Sequence, residues 1–117
     1  MERNMELIRL LLIQYEAGSP PAGLENYSQQ QVLYNLLLMK DAGLIEAYFL
    51  EGNDVLPMGV RNVRLTWVGH DFLDAARDDT IWNKAKDKFL KPGISWTFSI
   101  LSDWLKQEAR RRFFPNS

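Results

Sequence analysis

Lys40-Asp41-Ala42-Gly43-Leu44-Ile45-Glu46-Ala47-Tyr48-Phe49-Leu50, returning as Val60-Arg61-Asn62-Val63-Arg64-Leu65-Thr66-Trp67, decides the fold. The first half ends a helix and enters a strand. Gly43 stands where a helix closes in a left-handed residue, and Leu44 to Leu50 reads as a strand. Gly52-Asn53-Asp54 and Pro57-Met58-Gly59 are turn material. Val60 to Leu65 reads as the returning strand, with Val63 and Leu65 alternating against Asn62 and Arg64. Thr66 then caps a helix over about residues 67–77, with Val68, Phe72, Leu73 and Ala76 inward.

Upstream, Met5, Ile8, Leu11, Leu12 and Tyr15 fall at helical spacing and predict a helix over 3–16. Gly18-Ser19-Pro20-Pro21 stops it, and a loop follows with a short strand at Glu25-Asn26-Tyr27. Ser28 caps the next helix, about 29–42, with Val32, Leu33, Leu36 and Met39 on one face. Downstream, Asp78-Asp79-Thr80 breaks and re-caps the chain. A fourth helix at about 81–90 turns Trp82, Ala85 and Phe89 inward. A last one, capped by Ser95, runs to about Arg112 with Phe98, Leu101, Trp104, Leu105 and Ala109 inward. The four tryptophans, Trp67, Trp82, Trp96 and Trp104, read as core or packing anchors.

The expected fold is therefore mostly α with a small β-hairpin. The order helix, helix, strand, loop, strand, helix is that of a winged helix-turn-helix, with the hairpin as wing and the preceding helix as reader. Additional C-terminal helices buttress it. Residues 1–117 read as a single domain, with a winged-helix core at 1–77 and a C-terminal helical extension at 78–117. One departure stands out: residues 18–28 leave little room for the usual helix before the reading helix.

The phrase Arg64-Leu65-Thr66-Trp67-Val68-Gly69-His70-Asp71-Phe72-Leu73-Asp74-Ala75-Ala76-Arg77-Asp78-Asp79 continues into Ile81-Trp82-Asn83-Lys84. Together with Met5-Glu6-Leu7-Ile8-Arg9 and Ala42-Gly43-Leu44-Ile45-Glu46-Ala47 it resembles a family of phage, prophage and bacterial proteins known as a domain of unknown function. The resemblance runs to about residue 90. It implies a phage or prophage origin and supplies no activity.

Composition narrows the chemistry. The 117 residues are 46% apolar and 25% charged, the balance of an ordinary globular domain. There is no cysteine, which removes disulfides, thiolate catalysis and Cys-based zinc sites. The most apolar stretch, Leu7 to Ile13, is interrupted by Arg9 and is far short of the roughly 20 residues a bilayer needs. No signal peptide is legible, so the expected location is the cytoplasm of a bacterial host cell. Net charge is −1 but uneven: residues 1–60 carry 3 basic and 8 acidic residues, residues 61–117 carry 11 and 7.

His70, Asp74 and Asp78 share a helix face, but one histidine without cysteine is a poor metal set, and local helix pairing accounts for them. No serine lies in a nucleophile elbow and no glycine-rich phosphate loop is present. The expectation is a non-enzymatic protein without a metal, a cofactor or a small-molecule substrate.

Two binding modes follow. In the first, a DNA-binding or regulator-like module, Gln30, Gln31 and Asn35 face the groove and Arg61 and Arg64 grip the backbone from the wing. Lys84 and Lys88 add cationic contacts. Against it, the reading helix shows Tyr34, Leu38 and Asp41 on its outward arc, while Lys40 lies closer to the buried side. In the second mode, an accessory protein engages a host or phage protein, or a second copy of itself, through Tyr34, Leu38 and the terminal pair Phe113-Phe114.

Overall fold

The computed structural model describes residues 1–115. It is mostly helical, with five α-helices, one 3₁₀ turn and one two-stranded antiparallel sheet among those residues. The chain divides into two compact units, Met1–His70 and Asp71–Ser117, and the division falls inside a helix.

The N-terminal unit begins with α1 (Met5–Ala17), whose cap is Asn4. The Asn4 side chain accepts from the Leu7 N–H at 3.0 Å. Met5, Leu7, Ile8, Leu10, Leu11 and Leu12 are all buried, so α1 is apolar on nearly every side, as a central helix must be. Residues 24–26 form a 3₁₀ turn, Leu24–Asn26, and not the expected strand. Gly23 ahead of it is left-handed and Leu24 opens i→i+3 bonding, which a strand cannot use.

Helix α2 (Gln29–Asp41) starts with a reciprocal capping box. Ser28 Oγ accepts from the Gln31 N–H at 3.1 Å, and Gln31 Oε1 accepts from the Ser28 N–H at 2.9 Å. It ends as Gly43 predicts. Gly43 has φ +79°, its N–H donates to Lys40 at 3.0 Å, and the Leu44 N–H donates to Met39 at 2.9 Å. This is the paired-bond termination in which residues either side of the glycine also bury together; Met39 and Leu44 are both buried.

Strands β1 (Ile45–Leu50) and β2 (Gly59–Leu65) pair from Ile45↔Leu65 to Leu50↔Gly59. Between Glu46↔Arg64 and Tyr48↔Arg61 the returning strand carries one extra residue. Asn62, at φ +57°, sits at this bulge, and Asn is among the few non-glycine residues that tolerate the left-handed region. Helix α1 packs on α2 and β2, and α2 packs on β1.

Helix α3 (Trp67–Ala76) is tied through Thr66 to the residues just ahead of β1 by two hydrogen bonds and capped by a third. The Thr66 N–H donates to Leu44 at 3.0 Å, the Thr66 hydroxyl donates to the Gly43 carbonyl, and Thr66 Oγ1 accepts from the Gly69 N–H at 3.0 Å. A Cβ on Gly69 would lie 2.0 Å from the Leu44 carbonyl oxygen, so only glycine admits this approach. Two expectations for this helix are corrected. Val68 is 52% exposed and Trp67 is 87% exposed, neither inward. The close Gly69 contact sets the buried face of the helix, and its first two residues fall outside it.

In the C-terminal unit, Phe72, Leu73, Ala75 and Ala76 of α3 are buried. Asp78 caps α4 (Asp79–Phe89), accepting from the Ile81 N–H at 2.9 Å, and Ile81, Trp82, Ala85 and Phe89 form its buried face. Helix α5 (Phe98–Phe113) packs on α4 and is capped by Thr97, not Ser95. Thr97 has the extended backbone a cap needs and accepts from the Ile100 N–H at 3.2 Å. Leu101 and Leu105 of α5 are fully buried, Trp104 meets Phe89 edge-on at 5.6 Å, and Phe98 lies 5.0 Å from Phe72.

Candidate functional site

The first turn of α2 and the β1–β2 loop enclose an open groove of about 460 Å³. Gln29, Gln30 and Leu33 line it from the helix; Gly52, Asn53, Leu56, Pro57 and Met58 line it from the loop. The loop is built rather than slack. Asn53 Oδ1 accepts from the Val55 and Leu56 N–H groups, each at 2.8 Å, and the Met58 N–H donates to Leu50 at 3.0 Å. A Cβ on Gly52 would sit 2.3 Å from the Leu56 carbonyl oxygen. The lining combines apolar Leu33, Leu56, Pro57 and Met58 with the amides of Gln29, Gln30 and Asn53, each amide with a donor and an acceptor.

Gln30 is exposed in this lining. Gln31 is also exposed, but its side chain is occupied by the capping box. Asn35 is the main correction: it does not face outward. It is 1% exposed, its Oδ1 accepts from the Asn4 N–H at 2.9 Å, and its Nδ2 donates to the Gln31 carbonyl at 2.9 Å. Helical spacing alone puts Asn35 with Gln30 and Gln31, but the chain segment ahead of α1 lies over that side of α2. A groove lined by Met1, Glu2, Arg3, Asn4 and Leu7 with Gln31 and Asn35 records this.

Lys40 is exposed, not turned to the buried side, and stands 5.6 Å from the Phe49 ring. Tyr34 and Leu38 are half-buried. Arg61 is exposed and lies 5.9 Å above the ring of Tyr48, its cross-strand partner. Arg64 is exposed but paired: its Nε donates to Glu46 at 3.0 Å. Exposed pairs of this kind hold weakly and exchange readily with a competing anion.

Lys84 and Lys88 are exposed on α4 in the C-terminal unit. Phe113 and Phe114 are 54% and 64% exposed. They line a second groove of about 340 Å³ with Asp71, Asp74, Ala75, Lys106, Ala109 and Arg110. Asp74 pairs with Arg77 at 3.6 Å, the local pairing expected of that stretch. Gln29 was not singled out in the sequence, although the run Gln29-Gln30-Gln31 directly after the Ser28 cap was there to suggest it.

Among the described residues no helix is long and apolar enough to cross a membrane. The chain is thus a mostly helical protein with one β-hairpin, and its N-terminal unit carries an amide-lined groove between helix and loop. It belongs to the family described as "Hypothetical protein (DUF2513)", whose pattern matches residues 2–95. An uncharacterized protein of Haemophilus influenzae (strain ATCC 51907 / DSM 11121 / KW20 / Rd) is 37% identical over 92 residues, covering 74% of this chain and 76% of the relative. No solved structure matches the chain.

Proposed function

We propose that the N-terminal unit is a winged-helix module that binds duplex DNA in the bacterial cytoplasm, as a regulator-like protein of phage or prophage type. Helix α2 is the reading helix, the β1–β2 hairpin is the wing, and the 3₁₀ turn Leu24–Asn26 replaces the usual second helix. The observation that carries this reading is the exposed amide pair Gln29 and Gln30 on the first turn of α2, facing the built hairpin loop across an open groove. Glutamine pairs with adenine edges, and the N-terminal turn of a reading helix is where base contacts concentrate. Arg61 contacts phosphate from the wing, and Arg64 joins it by exchanging Glu46 for the backbone. Asn35 takes no part.

The N-terminal unit holds 5 basic and 8 acidic residues, so its electrostatic contribution is small and its binding is confined to low salt. The test is anisotropy of a labelled duplex with the wild type and with Gln30→Ala plus Arg61→Ala. Weaker binding by the double variant supports the reading; equal binding removes the helix–hairpin face from it.

A second reading is favoured by a separate observation. Trp67 at 87% exposed, with Phe113 and Phe114 largely exposed, offers apolar surface of the kind that protein partners cover. On that reading the protein is an accessory factor for a host or phage protein.

A further inference from the structure

Helices α4 and α5 form an open groove of about 320 Å³ lined by Ile81, Lys84, Glu108, Arg111 and Arg112. We propose that this groove is a phosphate-binding site, filled by a backbone phosphate of nucleic acid or by free phosphate. In its nucleic-acid form it rests on the DNA reading above and extends it to the C-terminal unit. Three cations and one carboxylate line the space, an imbalance that an anion corrects. Each arginine is held by a carboxylate, one from its own helix and one from the start of α4. Arg111 pairs with Glu108 at 3.2 Å. Arg112 pairs with Asp78 at 3.5 Å through Oδ2, while Oδ1 of the same carboxylate caps α4. Asp78 therefore fixes Arg112 near the start of α4 with half of its charge already engaged.

The guanidinium ends of these pairs reach solvent while Glu108 and Asp78 are largely covered, so an incoming anion meets the arginines first. A phosphate offers guanidinium the same bidentate geometry with more charge, so it displaces or bridges the pairs. Lys84 has no ion-pair partner among the described residues and adds a point charge to the same lining. Lys88, one turn further along α4, extends the cationic row. Arg111 and Arg112 lie beyond the family-matched residues 2–95, so this site is not carried over from the family.

The experiment is an amide and arginine Nε–H NMR titration of the full chain, with a short duplex and, separately, with sodium phosphate. Shifts of the Lys84 amide and of the Arg111 and Arg112 Nε–H signals with either probe support the site. Duplex alone assigns it to backbone phosphate, and inorganic phosphate alone assigns it to the free ion. Shifts confined to α2 and the hairpin overturn the site and leave the DNA reading standing. Shifts confined to α4 and α5 do the reverse. In the duplex assay, Lys84→Ala plus Arg111→Ala lowers the salt slope by about 1, the loss of one phosphate contact; an unchanged slope together with unmoved side-chain signals overturns the proposal.

Discussion

Asn35, in the middle of α2, accepts a hydrogen bond from the Asn4 N–H at 2.9 Å, and Asn4 is the residue that caps α1. One buried amide thus fixes the start of the first helix against the second. Its Nδ2 is also satisfied, by the Gln31 carbonyl at 2.9 Å. Replacing it leaves the half-buried Asn4 N–H without its acceptor, and the cost is about 1–3 kcal/mol. Asn35→Ala is expected to lower unfolding free energy by that amount in urea titrations, with DNA affinity per folded molecule unchanged. Lost affinity at full stability would return Asn35 to the binding surface.

Gly69→Ala places a methyl group against the Leu44 carbonyl, where a Cβ would come within 2.0 Å. The helix must move off the hairpin or the hairpin must distort. The expected cost is about 1–3 kcal/mol, typical of forced overpacking. Equilibrium denaturation measures it, and a neutral result would show that α3 does not approach β1 as described.

Trp67 and Trp82 make a contrast pair. Trp82 is 1% exposed and Trp67 is 87% exposed. Trp82→Ala is expected to cost about 3–5 kcal/mol. Trp67→Ala should change stability by less than about 0.5 kcal/mol, as surface substitutions do. Iodide quenching read from single-tryptophan variants checks the same assignment, with Trp67 quenched strongly and Trp82 shielded.

Alkaline pH should weaken the fold. Burial pushes the Tyr15 hydroxyl above its ordinary 10.0. Burial does the same to Tyr27, helped by the Glu6 charge and opposed by a side-chain hydrogen bond with Asn4. The folded state holds these protons more tightly than the unfolded chain, which releases them first. Stability contributed by the two groups is therefore intact below about pH 10 and falls as pH rises above it. Unfolding midpoints at about pH 8 and about pH 11 check this. Tyr15→Phe should flatten the loss, and an unchanged loss would place its cause elsewhere.

The local signals in the chain were readable because each has a short-range cause. Gly43 closes α2, Ser28 caps it, Thr66 caps α3 and Asp78 caps α4, all through contacts within a few residues. The hairpin register was half readable: the alternation of Val63 and Leu65 was visible, but the bulge at Asn62 shows only once the strands pair. Two local readings also missed, the Ser95 cap, which is Thr97, and the strand at 25–27, which is a 3₁₀ turn; the rest of what escaped depended on distant partners. The burial of Asn35 comes from residues 31 positions earlier in the chain. The outward turn of Trp67 and Val68 comes from the Gly69–Leu44 approach. The amide-lined groove needs a loop more than 20 residues from α2's first turn to fold back on it, which no spacing rule reveals.

Fluorescence anisotropy of a random-sequence duplex, titrated with the protein from roughly 50 to 200 mM salt, tests the central claim most directly. The winged-helix DNA reading predicts binding at the low end that weakens as salt rises, and that Gln30→Ala plus Arg61→Ala weakens further. No binding at the lowest salt would contradict it.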